Sequence, residues 1–466
     1  MKSDKTYIIF IYLALIFGTL FIFLTPPFQS PDEDSHLKKA YTIGRLRLFH
    51  VVDNDIEGYY IPDKMIEYIE EKKSSIGNYK WKYTYKDFYK DNFLVVDYSK
   101  KSLVDFSTKN ALIIPYIPAS IGIFIARSTS NLFVGGECST AYMLYFARFL
   151  NLLSYIIIIA LAIKTTPILK KTITTIMLLP MSLFLGSMVT YDCMLISLCI
   201  LTLSLILKLI YDKEQKFEIK HLIYFCIVGF ILLRVKIVYS LILILLMLVS
   251  KDKFKDKNKL KYAIYCILGI IGLYFVSKIP SLFIKSVSGN DFVTSEQISF
   301  IKNNPISFVY IILKNIYTQK ITLLVQLIGV LGLIDTYMPT IIIMFLFTLL
   351  LMVSLSELSL SKIKIDVKTK FISFTIFILI LISIFIAMYV SWTPQVLGVG
   401  ANIVSGVQGR YFLPVLILPL FIFSNGKLKK YKSVKKIMEF ILEHYFIVSI
   451  IGLICATLML LFRYWC

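Results

Sequence analysis

Residues 222–249 run LIYFCIVGFILLRVKIVYSLILILLMLV: twelve apolar residues, then Arg234, Val235 and Lys236, then thirteen largely apolar residues. One unbroken helix here would bury two cations in the middle of a bilayer, which is costly. Two short membrane-crossing helices joined at residues 234–236 avoid that cost. Because α-helices of this length cover roughly 18–20 Å of a ~30 Å hydrocarbon core, we expect the turn to lie below the outer headgroups. The stretch predicts a helical membrane protein with cations recessed in one face.

The composition of the whole chain agrees with this interpretation. Hydrophobic residues make up 57% of 466 residues, and the mean hydropathy of +0.75 is too high for an ordinary soluble domain. The net charge of +21 does not indicate a nucleic-acid partner, because half of the basic residues lie in short tracts between apolar blocks. The seven cysteines form no CxxC pair, so neither a metal cluster nor a disulfide framework is predicted.

The lysine-rich tracts predict the topology. Basic residues concentrate in cytoplasmic loops, so we expect six tracts there: residues 2–5, 164–171, 208–220, 251–261, 362–370 and 427–436. About eleven transmembrane helices follow, with a cytoplasmic N-terminus and an extracytoplasmic C-terminus: residues 7–24, 141–163, 172–189, 192–210, 221–233, 237–250, 262–277, 337–355, 371–390, 411–424 and 443–462. The first block lacks a small-residue cleavage site and is expected to be a retained helix.

Two further apolar blocks would reverse this topology if they crossed the membrane. Residues 111–126 and residues 306–335 are therefore predicted to be interfacial or re-entrant. Residues 25–140 and 278–336 then form two large extracytoplasmic segments. No internal repeat or linker is visible, so residues 1–466 are predicted to form one all-α polytopic membrane domain with interfacial helices in its first loop.

Acidic residues cluster directly after the first span. Asp32, Glu33, Asp34 and His36 lie within five residues at the expected outer surface. Ser30 and Glu33 have the spacing of a capping box, so Glu33 can be a helix cap alone. Asp32 and His36 are i,i+4 neighbours on a helix, and a carboxylate here can act as a general base or hold a divalent ion. We predict Asp32 as the catalytic residue and Glu33 as cap or support.

A second acid, Asp192, begins a predicted span from the outer side, so the topology brings it to the face of Asp32. It can be an ordinary helix-start acid. It can also act with Asp32 in catalysis or in binding Mg²⁺ or Mn²⁺.

Basic side chains are expected to converge on the same face. Residues 406–411, GVQGRY, contain two glycines that permit a tight turn aiming Gln408 inward. The cations expected in one recessed cavity are Arg148, Arg234, Lys236 and Arg410. Such a cavity suits a phosphate or diphosphate on a lipid carrier, although Lys and Arg at helix ends often extend to the interface without any ligand.

These motifs resemble a bacterial multi-pass membrane family of unknown function, number 2142. The resemblance runs from about residue 24 to residue 424. It is carried by Pro31, Asp32, Glu33, His36, Gly44, Pro115 to Pro118, Arg148, Pro180, Tyr191, Asp192, Lys236, Tyr239 and G-x-Q-G-R-Y at residues 406–411. The last motif is the most distinctive.

The resemblance implies membership of the GT-C glycosyltransferase superfamily, whose enzymes use polyprenyl-phosphate sugars and a carboxylate in the first outer loop. It implies that Asp32 or Glu33 is that carboxylate and that Asp192 is the second acid present in many of these enzymes. Whether Asp32 and Asp192 bind a metal stays open, and no other cofactor is expected.

We therefore expect an inverting transferase in the bacterial plasma membrane that moves sugar from a polyprenyl-phosphate donor to an envelope glycan, glycolipid or protein. The residues expected to contact substrate or phosphate are His36, Arg148, Arg234, Lys236, Tyr239, Gln408, Arg410 and Tyr411. The rival interpretation is a transporter or flippase of lipid-linked glycans, which would need a repeat architecture. The polar motifs gather on one face without a visible repeat, which favours the enzyme.

Overall fold

A computed structural model describes residues 5–53, 56–278 and 292–466; residues 279–291, within the second predicted outer segment, lie outside the described residues. The α-helices are α1 (Thr6–Leu24), α2 (Glu33–Gly44), α3 (Asp63–Lys73), α4 (Tyr85–Phe93), α5 (Ile117–Phe133), α6 (Thr140–Thr165), α7 (Lys170–Met177), α8 (Pro180–Ser187), α9 (Asp192–Tyr211), α10 (Ile219–Lys236), α11 (Lys259–Lys278), α12 (Phe292–Asn303), α13 (Pro305–Gly329), α14 (Thr340–Leu360), α15 (Val367–Ser391), α16 (Thr393–Leu397), α17 (Ile417–Leu420) and α18 (Lys432–Tyr464).

Shorter elements complete the chain. The 3₁₀ helices are Ile114–Tyr116, Ile237–Leu248, Lys251–Lys253, Gly409–Val415, Phe421–Phe423 and Leu428–Lys430. The strands β1 (Val51–Asp53), β2 (Ile56–Pro62) and β3 (Lys101–Val104) form an antiparallel sheet in that order, and β4 (Val330–Leu331) pairs antiparallel with β5 (Thr336–Tyr337).

Long apolar helices dominate the described part of the chain. Nine helical segments there are long and apolar enough to cross a membrane: α1, α6, α9, residues 219–248, α11, α13, α14, α15 and α18. The predicted all-α polytopic fold class is therefore confirmed. The number of eleven crossings stays a prediction.

Residues 219–248 form a hairpin. The backbone at Lys236 is extended, with φ −153° and ψ 98°, and the chain then continues as the 3₁₀ helix Ile237–Leu248. A Cβ on Gly229 would lie 2.9 Å from Cδ1 of Leu243, whereas residues fourteen apart in a straight α-helix are separated by roughly 21 Å. At about 2.0 Å per residue the 3₁₀ half covers roughly 24 Å. The turn at residues 234–236 therefore lies closer to the outer headgroups than two short α-helices would place it.

The predicted span 172–189 is broken into α7 and α8. Pro180, at the first position of α8, has no N–H to continue the preceding helix. The Tyr155 hydroxyl donates to the Met177 carbonyl at 2.7 Å, and the Ser182 hydroxyl donates at 2.7 Å to the carbonyl one residue earlier. The break lies inside the bundle, so these hydroxyls provide hydrogen bonds to backbone carbonyls at the break. Lipid tails could not provide such hydrogen bonds.

The lysine tracts gather at one end of the bundle, here called the basic end. Several side chains join different tracts or their neighbours: Lys171 donates to the Leu442 carbonyl (2.5 Å), Lys253 to the Asp212 carbonyl (2.5 Å) and Lys370 to the Ser424 carbonyl, and Lys164 lies over the Tyr7 ring. The opposite end, here called the loop end, carries residues 25–139. The C-terminal region also lies there, since the Trp465 indole donates to the Leu24 carbonyl at 3.0 Å.

The first loop folds onto the loop end around a core of its own. Buried side chains from α2, α3, β2 and α5 pack there against the start of α6. The helix predicted at residues 111–126 begins later, at Ile117. It approaches α6 closely, because a Cβ on Gly122 would lie 2.5 Å from the Phe146 carbonyl oxygen.

The helix α13 runs along the loop end. Near its start, the Phe308 ring lies 5.7 Å from the ring of Tyr389, at the end of α15. In its middle, the Gln319 amide donates to the Val404 carbonyl at 2.9 Å. Its last residue, Gly329, accepts a backbone hydrogen bond in the turn before α14. Although α13 is long enough to cross a membrane, both of its ends contact the same end of the bundle.

Candidate active site at the loop end

Four separate segments bring four charged side chains together at the loop end. Asp32 precedes α2, Asp192 begins α9, Lys236 ends α10, and Arg410 lies in the 3₁₀ helix Gly409–Val415. Their charged groups lie 3.6–3.8 Å apart in three acid–base pairs. The structure thus brings together four of the predicted site residues that are far apart in sequence.

Asp32 is the exposed member of this cluster. Its side chain is 67% exposed, and its Oδ2 lies 3.6 Å from Nη2 of Arg410. The backbone of Asp32 is left-handed, with φ 58°. Non-glycine residues rarely adopt this conformation, and such strain concentrates at functional sites. The turn therefore holds a carboxylate outward, next to a guanidinium.

Asp192 is the buried acid of the cluster. It begins α9, where the positive end of the helix dipole favours a carboxylate, and its backbone N–H donates to the Thr190 hydroxyl at 3.1 Å. One carboxylate oxygen lies 3.8 Å from Nζ of Lys236 and the other lies 3.7 Å from Nη1 of Arg410. Asp192 therefore orients both cations.

Arg410 lies between the two acids without a direct hydrogen bond to either. Both ion-pair distances, 3.6 and 3.7 Å, exceed ordinary hydrogen-bond length. Within the described part of the chain, the buried Nε of Arg410 and the buried Oε1 of Gln408 have no hydrogen-bond partner. Buried polar atoms normally have partners, so Arg410 keeps donors for a further group.

Lys236 is held by aromatic faces. Its Nζ lies 3.9 Å from the ring centroid of Tyr411 and 5.3 Å from that of Tyr191. Cation–π contacts of this kind stabilise a desolvated ammonium. They hold the charge beside Asp192 and still leave N–H donors available.

His36 is buried behind the two acids. Its Nδ1 lies 2.8 Å from the Tyr116 hydroxyl, and its ring packs edge-on against Tyr191 at 5.0 Å. Burial lowers the pKa of His36 to about 4, and the nearby carboxylates of Asp192 and Asp32 only partly oppose this effect. A neutral His36 is thus a packing and orienting group. The expected direct contact of His36 with substrate does not fit its burial.

Glu33 and Arg148 form a structural pair. Glu33 accepts from Nε and Nη2 of Arg148 at 2.8 and 2.6 Å and from the Val189 N–H at 3.1 Å. The other Arg148 donors bond the carbonyls of Ile22, Thr25 and Pro26. The predicted capping box is wrong, since the N-cap is Asp32 and no side chain caps α2. The predicted phosphate contact of Arg148 is also wrong, because all five of its N–H donors are bonded inside the protein.

Two other predicted ligand contacts take different roles. The Tyr239 hydroxyl donates to the Tyr411 carbonyl at 2.6 Å, so Tyr239 positions the backbone beside Arg410. Arg234 lies over the ring of Tyr274 in α11, at 5.9 Å. The turn at residues 234–236 therefore directs Lys236 into the cluster and Arg234 toward α11.

The glycines of residues 406–411 fix the approach of Arg410. Gly406 has φ +87°, and a Cβ there would lie 2.4 Å from the Trp392 ring. A Cβ on Gly409 would lie 2.2 Å from the Leu323 carbonyl oxygen of α13. Gly409 also donates its N–H to Oε1 of Gln326 at 3.0 Å. Only glycine lets this loop contact α13 so closely.

The predicted metal site at Asp32 and Asp192 does not fit the geometry. The guanidinium of Arg410 lies between the two carboxylates, so a bridging dication would meet a cation. Among the residues that the structure describes, no group of three or more His, Cys, Asp or Glu side chains could hold a metal ion. The two acids instead neutralise Arg410 and Lys236.

Comparison with known proteins shows which family the chain belongs to, and nothing more specific. The family model described as "Predicted membrane protein (DUF2142)" matches residues 15–419. The chain belongs to this family. No curated protein and no solved structure matches the chain. The DUF2142 match supports a membrane location, which agrees with the long apolar helices.

Two aromatic residues of the DUF2142 chain lie within the motifs of the resemblance but were not predicted to belong to the site. Tyr191 contacts both Lys236 and His36, and Tyr116 bonds His36. Tyr116 lies 80 positions from His36, so no local spacing pointed to it. Tyr191 directly precedes Asp192 and stands beside it in the motif, and those were the available signals.

Proposed function

We propose that this protein is a glycosyltransferase of the GT-C type, which moves a sugar from a polyprenyl-phosphate donor to an envelope glycan, glycolipid or protein. The observation that carries the proposal is the exposed carboxylate of Asp32 beside the buried Arg410, with the half-buried Lys236 in the same cluster. Sugar transfer from a phosphate needs both parts, a base for the acceptor hydroxyl and cations for the leaving phosphate.

The proposed reaction is a single displacement with inversion. Asp32 takes the proton of the acceptor hydroxyl as its oxygen attacks the anomeric carbon. The bond from that carbon to the phosphate oxygen breaks, and polyprenyl phosphate leaves with the electron pair. Arg410 and Lys236 neutralise the charge on the phosphate, and Asp192 keeps both cations in place. Preorganised cations in a partly desolvated site can supply much of the rate enhancement.

The orientation in the membrane is part of the proposal. The basic end is expected to face the cytoplasm, since positive residues concentrate there. The loop end, with Asp32 and the C-terminus, then faces the outside of a bacterial plasma membrane, where envelope acceptors are available. The polyprenyl chain would lie among the apolar helices and its phosphate would reach Arg410.

The test is transfer in proteoliposomes that contain a panel of polyprenyl-phosphate sugars, with release of polyprenyl phosphate as the readout. Asp32→Asn should lower turnover by about two to four orders of magnitude, the usual contribution of a general base. Asp34→Asn is the matched control, because Asp34 pairs with Lys38 and Lys73. The turnover of Asp34→Asn should stay within threefold of wild type, which corresponds to a change of about 0.6 kcal/mol at most in the activation free energy.

Two outcomes would count against the enzyme. Asp32→Asn turnover equal to that of Asp34→Asn would remove Asp32 as the base. Movement of intact lipid-linked sugar across the bilayer, without release of polyprenyl phosphate, would favour the flippase instead.

A further inference from the structure

A pocket lies at the other end of α2 from Asp32. It is a cavity of about 530 Å³ between the end of α2 and the helix α5. Its lining combines three cations with an apolar wall: Arg45, Arg47 and Arg127, and Ile117, Ile121 and Phe124. Because α2 has 12 residues, roughly 18 Å separate this pocket from Asp32. The pocket is therefore distinct from the candidate active site.

The three arginines lack acidic partners. All are half-buried, and none forms an ion pair with a carboxylate of the described residues; Arg47 donates to the Tyr60 carbonyl at 3.2 Å. All three act on one hydroxyl: burial raises the pKa of Tyr41, Arg45, Arg127 and Arg47 oppose that rise, and the Glu137 carboxylate adds to it. The end of α2 favours a cation at Arg45, but Arg127 lies well inside α5. Three cations that line one pocket repel one another, and the single nearby carboxylate of Glu137 offsets only part of their charge, so a further anion would stabilise them.

The apolar wall faces outward. Ile117, Ile121 and Phe124 are 42%, 46% and 59% exposed, and their spacing places them on one face of α5. The depth of α5 can be read from α6. About twenty residues span a ~30 Å hydrocarbon core, so counting back from Lys164 at the basic end reaches residue 144. The close contact of Gly122 with Phe146 therefore lies near the hydrocarbon boundary.

We propose that this pocket binds an anionic phospholipid of the surrounding bilayer. The phosphate lies among the three arginines, and an acyl chain lies along Ile117, Ile121 and Phe124. An adjoining cavity of about 460 Å³ shares Arg47 and adds Lys101, which gives room and charge for the rest of the headgroup. A soluble anion would leave the apolar wall without a function, and a zwitterionic lipid would bring a further positive charge in its headgroup to the three cations. The inference requires no enzymatic activity and stands apart from the proposed function.

The test is native mass spectrometry of the full-length protein, reconstituted in vesicles of equal phosphatidylglycerol and phosphatidylcholine and then released in mild detergent. Wild type should retain phosphatidylglycerol about tenfold over phosphatidylcholine, a difference of about 1.4 kcal/mol. The variant Arg45→Gln, Arg47→Gln, Arg127→Gln should lose that preference. The matched control, Lys86→Gln, Lys90→Gln, Lys100→Gln, removes three exposed charges from the same loop and should keep it.

Two further measurements separate the sources of the anion. Phe124→Gln keeps every arginine and should weaken retention several-fold if an acyl chain occupies the wall. Inorganic phosphate at millimolar concentration should not displace the lipid. If the triple variant does not fold, Arg127→Gln alone should reduce the preference, with its melting temperature as the check on folding. Equal retention of both lipids by wild type, unchanged preference in the arginine variants, or displacement by phosphate together with an unaffected Phe124→Gln would each overturn the proposal.

Discussion

Asp32 and Glu33 are adjacent in the chain but belong to two different electrostatic regions. Glu33 is fully buried, and its carboxylate accepts hydrogen bonds from Arg148 at 2.6 and 2.8 Å. Asp32 is two-thirds exposed and lies 3.6 Å from Arg410. Arg148 has used every donor, whereas Nε of Arg410 has no partner among the described residues. The short hydrogen bonds between Glu33 and Arg148 fix the turn before α2. The longer ion pair between Asp32 and Arg410 leaves both groups able to bind a ligand.

The strongest way to break this comparison is to remove the buried pair. Arg148→Ala leaves Glu33 charged and buried, which should cost about 3–5 kcal/mol of unfolding free energy. Loss of monodisperse protein in detergent, or a large fall in melting temperature, measures the effect. The control is Lys64→Ala, which breaks an exposed pair with Glu67 and should cost under about 1 kcal/mol. A melting temperature of Arg148→Ala equal to that of the control would contradict the structural role.

The second prediction concerns the loosely paired region. Arg410→Gln should weaken use of the lipid-linked donor by about 2–5 kcal/mol if Arg410 binds a desolvated phosphate, with little change in melting temperature. Arg234→Gln is the matched control at the same end of the bundle: its Nε also has no partner among the described residues, but its guanidinium lies over Tyr274 and forms no ion pair with Asp32 or Asp192. Its turnover should remain within about threefold of wild type. Equal losses of turnover in both variants would mean that the two cations contribute only to the positive electrostatic potential of the loop end, and that Arg410 does not bind the phosphate directly.

The sequence predicted the regions unequally, and the reasons are physical. The hairpin turn and the shared face of Asp32, Asp192, Lys236 and Arg410 follow from apolar block lengths and lysine tracts, which are properties of the chain itself. The role of Arg148 could not follow, because its partner lies 115 positions away.

Local signals failed in a similar way elsewhere. Glu33 has capping-box spacing, but its carboxylate pairs with the buried guanidinium of Arg148. That pairing stabilises the protein more than capping the start of α2 would. The 3₁₀ geometry of residues 237–248 and 409–415 was also hidden, because apolar composition fixes neither the rise nor the hydrogen-bond pattern of a helix. The short predicted spans therefore reach further than α-helical counting allowed.

A smaller change should sharpen the positioning of Arg410. Tyr239→Phe removes the 2.6 Å hydrogen bond to the Tyr411 carbonyl and leaves a carbonyl beside Arg410 unpaired, at a cost of about 1–3 kcal/mol. We expect a lower melting temperature and a raised KM for the donor with a smaller change in kcat. A change in kcat alone would instead indicate that Tyr239 contacts the reacting groups. Tyr224→Phe is the control, because the Tyr224 hydroxyl bonds Thr202, which is not part of the charged cluster.

The smallest expected effect is the pH dependence contributed by His36. Its pKa in the folded protein is about 4, below the ordinary value of 6.5, chiefly because the ring is buried. A lowered pKa means that the unfolded chain binds a proton first, so stability is complete above about pH 6.5 and falls as the pH decreases toward 4. At pH 5.5 the loss of unfolding free energy should be roughly 1 kcal/mol.

Melting temperatures of wild type and His36→Gln between pH 7.5 and 5.5 measure this loss. The variant should be less stable at pH 7.5, because it loses the packing against Tyr191, but its decline with pH should be shallower. Parallel declines would assign the acid sensitivity to other groups, and a wild type that gains stability on acidification would mean that His36 is charged beside Asp32 and Asp192.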